Sequence, residues 1–445
     1  MDKQTRIILP WETRNWAKTK EIFLDPITSV VDMDSRISTL NRGLLKPRTI
    51  SDLFNKYFTD DEYAKDRISQ EHFIDNILPM MQSLILGGRK LFRDTKLTPL
   101  ISNKSRNITL TRKQVATLLS CAWFGLFSYK YVIGRDIDDF PEMTFINMFI
   151  EHNMFALQCF LTYFNKIYSY IGNKTPSFNS GIIILSRNCA NSFPQWETID
   201  SPITEIMIGE GNVDDSPAKL QVGYCEDYIG GELFKDPLNQ GDLTLLIRTE
   251  SLVSLLFCER MSPNESVNVI GCEKFINYNG YGSGIRFISK FIDDVKYGKS
   301  KNNELMAQHS IIFMDASPKT STTDQMITEF DRDLNKAYCG FSSLKFSRLE
   351  NVSSGNWSYR FRGCNMQVKF IQQVLATSYS DKCLVYHPNS NDFEEEVIPF
   401  IDWIMDNELT VADLYVSYLS AIKNCYSEKG NRNNIDIFAR IMDEY

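Results

Sequence analysis

The chain has 445 residues, 43% apolar and 23% charged, with 29 Phe and 20 Tyr, enough to bury one large core or two fused ones. Its net charge of -8 excludes broad, sequence-independent nucleic-acid binding, which needs an extended basic face. The first residues, MDKQTRIILPWETRNW, contain no apolar signal core, and no run of about 18 apolar residues follows, so an intracellular protein, cytoplasmic or nuclear, neither secreted nor membrane-bound, is expected.

Up to about residue 170 the pattern is helical. Apolar residues recur every three or four positions in 115–128 (VATLLSCAWFGLFS), behind the cap-like Thr109 and Thr111, and again in 145–168. From about residue 180 the period changes. Short β-rich runs at 181–186 (GIIILS), 219–224 (KLQVGY), 267–271, 310–316 and 383–387 alternate with helical stretches at 243–260 and 364–379. The last helix, about 411–425, opens on Thr410 and Asp413 as a capping box. The polar segments 294–304 and 427–434 read as surface loops. Strands alternating with helices imply a sheet covered on both faces, and the expected division is a helical region, 1–170, before an α/β domain, 171–445. The ten cysteines stand singly, without a CxxC or close pairing with the four histidines, so neither a zinc site nor a disulfide framework is expected.

Ligands of α/β sheets sit beyond the strand ends, where loops present backbone amides and helix N-termini. Two Gly-containing loops fit that position, Gly230-Gly231 after the strand at 219–224 and residues 355–365 (GNWSYRFRGCN) ahead of a helix; a third, residues 280–284 (GYGSG), places Tyr281 between glycines. With their neighbours they resemble the poly(ADP-ribose) glycohydrolase family, through residues 77–86 (ILPMMQSLIL), 108–127, 193–197 (FPQWE), 220–224 (LQVGY), 334–341 (LNKAYCGF), 355–357 (GNW) and 408–415 (ELTVADLY). The resemblance implies a macrodomain-like three-layer α/β/α mixed sheet with an N-terminal helical accessory region.

The family signature is three glycines followed eight residues later by Gln-Glu-Glu. Gly230 and Gly231 match the first two glycines, Glu232 falls on the third, Gln240 matches the glutamine, and Gly241 and Asp242 stand where the family has two glutamates. The aspartate the family carries after its LQV strand is Gly223 here, and the loop after GNW holds Arg360 and Arg362. By resemblance Asp214, Gly230, Gly231, Gln240, Tyr281 and Asn356 are ADP-ribose-binding, Asp214 reading the adenine edge and Tyr281 clasping the ligand. Asp242 takes the catalytic position.

Cleaving a ribose–ribose bond needs a carboxyl that protonates the leaving oxygen and then activates water. Asp242 keeps the carboxyl on a stem one methylene shorter, a setback of roughly 1.5 Å, worth on the order of 100-fold in rate. A Glu232 carboxylate about 5 Å from a diphosphate charge repels it by roughly 3 kcal/mol at an effective dielectric near 20. Arg360 or Arg362 is expected either to pair with Glu232 and plug the cleft or to recruit phosphate. The resemblance thus implies an inactive or strongly impaired glycohydrolase serving as a binding or scaffolding module. An active glycohydrolase using Asp242 and a non-cleaving ADP-ribose reader are the alternatives. No cofactor or metal is implied. The partner is ADP-ribose or its polymer where the pocket is open and otherwise a protein assembly, with no direct nucleic acid.

Overall fold

A computed structural model of the chain describes residues 5–445 except 42–44, 47, 128–130, 152, 232, 235–237, 281, 293–295, 301, 318–322, 344–349, 358–364, 389 and 428–435. The centre is an eight-stranded sheet. Its strands in chain order are β1 (Arg106–Thr111), β2 (Ile182–Cys189), β3 (Ile206–Ile208), β4 (Leu220–Tyr224), β5 (Glu265–Ile270), β6 (Ser310–Met314), β7 (Glu350–Gly355) and β8 (Lys382–His387). They lie in the order β1-β2-β5-β6-β4-β7-β8-β3. The run β6-β4-β7-β8-β3 is parallel, whereas β1, β2 and β5 join on antiparallel.

Both faces of the central strands are buried, whereas the edge strands β1 and β3 are partly exposed. Along β6, Ile311 and Phe313 point into one apolar cluster and Ile312 and Met314 into the other, the period-two alternation of a strand buried on both sides. The helices of eight residues or more are α1 (Val30–Leu40), α2 (Thr49–Thr59), α3 (Leu78–Leu91), α4 (Arg112–Trp123), α5 (Met154–Gly172), α6 (Gln240–Ile247), α7 (Thr323–Ser342), α8 (Met366–Tyr379), α9 (Asn391–Asp406), α10 (Val411–Ser427) and α11 (Ile437–Glu444). Residues of α1 to α6 share the first cluster, those of α7 to α11 the second. The result is a mixed-sheet macro fold preceded by a helical region, as the sequence leads one to expect.

Several elements depart from the expectations. Residues 145–168 do not form one helix: a short helix ends at Ile150, and Asn153 restarts the chain by accepting the Ala156 amide at 2.9 Å. The stretch 243–260 breaks after Ile247, where Thr249–Val253 tightens into a 3-10 turn that turns Glu250 toward Arg112. Thr109 lies within β1, and Thr111 alone caps α4, in a capping box with Gln114. Part of the expected loop 294–304 is a hairpin, Tyr297–Lys299 against Leu305–Ala307. Most of 427–434 lies outside the described residues. The helix from 411 does open on the expected reciprocal bonds between Thr410 and Asp413, but α11 follows it. The described cysteines are free, and all but Cys189 are buried. No helix among the described residues is long and apolar enough to cross a membrane.

One buried polar cluster ties the helical region to the sheet. Arg112, at the start of α4, is fully buried and bonds Glu250 and Glu273 at 2.8 Å each, and also donates to the Gly271 carbonyl. Tyr170 from α5 donates to Glu273 at 2.6 Å. Two buried carboxylates share one buried guanidinium, so one of them retains a proton more readily than it would in solution. Burial raises the Glu250 pKa to about 7 despite the pull of Arg112, and the Glu273 charge adds to the rise. A carboxyl raised in the folded state contributes stability that is full below its ordinary value of 4.5 and is lost as pH climbs through about 7. The thermal midpoint is therefore expected to fall between about pH 5 and about pH 8, and Glu250→Gln to flatten that fall; calorimetry of both proteins across the range checks it.

Candidate functional site

Because β6, β4, β7 and β8 run parallel, their C-terminal ends, Met314, Tyr224, Gly355 and His387, lie along one edge of the sheet. This is the edge at which open α/β sheets take ligands. The loop leaving β4 returns to it at once. The Gln240 side chain accepts the Tyr224 amide at 2.9 Å and donates to Thr244 at 2.9 Å. Asn239 is the N-cap of α6, its carboxamide oxygen accepting the Asp242 amide at 2.7 Å. Asp242 sits in the first helical turn, where the helix dipole favours a carboxylate.

The start of α6 lies directly on the end of β4. A Cβ built on Gly241 would stand 2.1 Å from the Tyr224 carbonyl oxygen and 2.8 Å from its carbon, both backbone atoms that no side-chain motion can clear. Asp242, next along, is only 2% exposed. It is one of the carboxylates, after Asp315, that add to burial in pushing the Cys225 thiol well above its ordinary range. Gly223, one residue before the strand end, is likewise filled: its Cβ would fall 2.7 Å from the Phe313 ring.

The glycine loop is held from outside. Gly230 adopts φ +72, the left-handed conformation that favours glycine, whereas Gly231 is exposed beside Tyr228. Tyr228 donates to the Asp138 carbonyl at 2.5 Å and lies under the Arg260 guanidinium, 4.3 Å from its ring centroid. Across the edge, Asn356 uses both ends of its amide to join β7 to β8: Tyr386 donates to its oxygen at 2.6 Å, and its nitrogen donates to the Pro388 carbonyl. Asp214 is 2% exposed and accepts from Gln221, from Thr244 at 2.8 Å and from Tyr278 at 2.9 Å. Gln240 and Asp214 therefore meet through Thr244, and Asp242 follows on the same helical turn, whereas Asn356 belongs to the neighbouring strand ends. Glu232, Tyr281, Arg360 and Arg362 lie outside the described residues. His387 packs its ring against Gly209, and burial lowers its pKa.

Sequence reading missed the acid–base network behind the edge. Asp315, just past β6, accepts from Arg332 and Lys336; Asp333 accepts from Arg332 at 2.7 Å, from Lys369, and from the Ser317 amide at 3.0 Å. Burial opposes ionisation of Asp333, but Lys369 and Arg332 outweigh it and hold its carboxyl below the ordinary range. The Lys369 ammonium also lies 4.6 Å from the centroid of the buried Trp357 ring. The signal for it was the Arg332–Lys336 spacing, one turn apart on a single helix. Among the described residues no group of three or more His, Cys, Asp or Glu could hold a metal.

An eight-stranded mixed sheet with a helical region before it, and the Gly230-Gly231 loop leaving one of its parallel strand ends, defines a macro-fold protein; the glycines around residue 282 instead lie between the strands of a separate antiparallel hairpin, Ile276–Asn279 against Arg286–Lys290. The comparisons agree: residues 193–395 match the poly(ADP-ribose) glycohydrolase macro domain fold, and residues 65–187 match the helical domain of the same enzyme. The chain belongs to the poly(ADP-ribose) glycohydrolase family. It is 22% identical over 362 residues to probable poly(ADP-ribose) glycohydrolase 2 of Arabidopsis thaliana, covering 69% of this chain and 68% of that one. It is 25% identical to poly(ADP-ribose) glycohydrolase 1 of the same plant, covering 64% of this chain and 54% of the relative. To poly(ADP-ribose) glycohydrolase 1 of Caenorhabditis elegans it is 25% identical, covering 62% of this chain and 35% of the relative.

The contact under Gly241 gives a direct test. Gly241→Ala must force α6 off β4, an overpacking cost of about 1–3 kcal/mol. Gly231→Ala, whose Cβ meets Tyr228 no closer than 3.3 Å, is expected to stay within about 0.5 kcal/mol of the parent. Urea unfolding of the three proteins compares them.

Proposed function

We propose that this chain is a poly(ADP-ribose) glycohydrolase-like protein whose hydrolytic site is inactive or strongly impaired, and that it serves as a binding or scaffolding module. The observation that carries this reading is the seating of α6 on β4. By resemblance, the two positions after Gln240 should present a carboxylate that orients sugar hydroxyls and one that transfers the proton. Here the first is Gly241, packed against the Tyr224 carbonyl, and the second is Asp242, buried in the first turn of α6. A general acid must come within hydrogen-bond reach of the oxygen it protonates, and a 1 Å error costs on the order of 100-fold.

The closure also supports a different reading of the signature's loss. Simple replacement of two side chains would leave the backbone ready to accept the glutamates again. The 2.1 Å approach at Gly241 leaves no room for any side chain, so the loop and helix have settled into the space. Asp242→Glu is expected to give no turnover. Gly241→Glu with Asp242→Glu is expected to lower stability without restoring activity, because the Cβ at 241 displaces the helix before its carboxylate can act.

The test is release of ADP-ribose from automodified polymerase by the unaltered protein and by both variants, followed by chromatography. Release no faster than without protein is the expected result. Rapid release by the unaltered chain would establish Asp242 as a working acid and overturn the reading, and recovery by the double variant would show the closure to be incidental.

A further inference from the structure

A groove far from the strand ends in sequence is lined by a cluster of cations. Its floor is the last turn of α3 and the chain beyond it, and its other wall is the N-terminal segment from Thr5 to Glu12. That segment is held in place: Arg6–Ile7 pairs with Val132–Ile133, and the Ile7 amide donates to the Leu97 carbonyl at 3.1 Å. Trp11 lies on α3 at Gly88, where a Cβ would stand 2.3 Å from the indole, so glycine is what lets the wall close onto the helix. The space enclosed is about 1130 Å³.

Five cations line it: Arg6, Arg89, Lys90, Arg93 and Lys96. Arg6 bonds Glu12 at 3.1 Å; the other four make no ion pair among the described residues. Arg89 and Lys90 also complement the negative end of the α3 dipole. Arg93 and Lys96 lie past the helix, where that explanation does not reach. In a chain of net charge -8, four such groups around one cavity raise the local anion concentration.

We infer that this groove holds diphosphate groups of an ADP-ribose polymer, as a second contact distinct from the sheet edge. The identity of the polymer rests on the family reading above; the anion site does not. Arg89 and Arg93 stand four residues apart across the end of α3, the spacing that brings two side chains to one side of a helix, and both line the groove. A diphosphate, two anions sharing one bridging oxygen, matches such pairs better than single phosphodiesters spaced along a strand, and guanidinium forks suit phosphate oxygens. One wall, residues 5–12, precedes the part of the chain that matches the family's helical domain, which begins at residue 65.

The experiment measures anisotropy of fluorescent poly(ADP-ribose) of defined length against the full chain and against Arg89→Gln with Arg93→Gln, at several salt concentrations. Calorimetry with monomeric ADP-ribose and anisotropy with a single-stranded RNA of equal charge run alongside. The double substitution is expected to weaken polymer binding about tenfold and to lower the salt slope by about 2. RNA is expected to bind more weakly than the polymer. Polymer affinity untouched by the substitutions would overturn the inference. RNA bound as tightly, with the same loss in the variant, would overturn it in favour of a general nucleic-acid groove. Monomeric ADP-ribose carries one diphosphate and can enter either site, so the variant separates them. Monomer binding that survives the substitutions reads the sheet edge, counts against a closed edge and leaves the groove standing, whereas monomer binding lost with them reads the groove.

Discussion

The backbone contact between Gly241 and Tyr224 governs what the ligand edge can do. A helix that begins directly on the last carbonyl of the strand before it cannot carry a side chain at its second position, and the residue that follows turns inward with it. Gln240 and Asn239 reinforce the arrangement, one accepting the strand's terminal amide and the other capping the helix, so the closure is satisfied in its hydrogen bonds as well as packed. Gly223 and Phe313 show the same substitution of packing for polarity one residue earlier in β4.

Around that closed centre the polar groups bind one another. Asn356 bridges two strand ends, Asp214 anchors β4 to α6 and to Tyr278, and three cations saturate Asp315 and Asp333. Each is the kind of group that elsewhere would face a ligand, and each has its bonding capacity taken up by the protein. Breaking any one of these internal hydrogen bonds costs about 1 kcal/mol or more where it is buried.

The central strands and the helices that cover them were legible because their apolar residues alternate or recur with the right period. β7 was not: in Glu350–Gly355 the buried positions include Ser353 and Ser354, which bond the Val213 carbonyl and Gln373 in place of making apolar contacts. The three-residue β3 is too short to show a period, and β1, with only Ile108 and Leu110 apolar, runs directly into α4. The break after Ile247 was invisible because it is fixed by an ion pair to a residue 138 positions away. At the site, residue types and spacing identified which positions mattered but not how close the backbones lie. Glycine in a sequence is read as freedom, whereas at position 241 it marks an absence of space.

The Arg112 cluster has a bearing on how this chain can change. Its three charged members come from separate stretches of sequence, and exchanging Arg112 alone leaves two buried carboxylates without their cation, at a cost of about 3–5 kcal/mol. Variation there must arrive as coordinated sets, while the surface around it drifts one residue at a time. The seam between the helical region and the sheet consequently has little room for single-residue change at its charged positions.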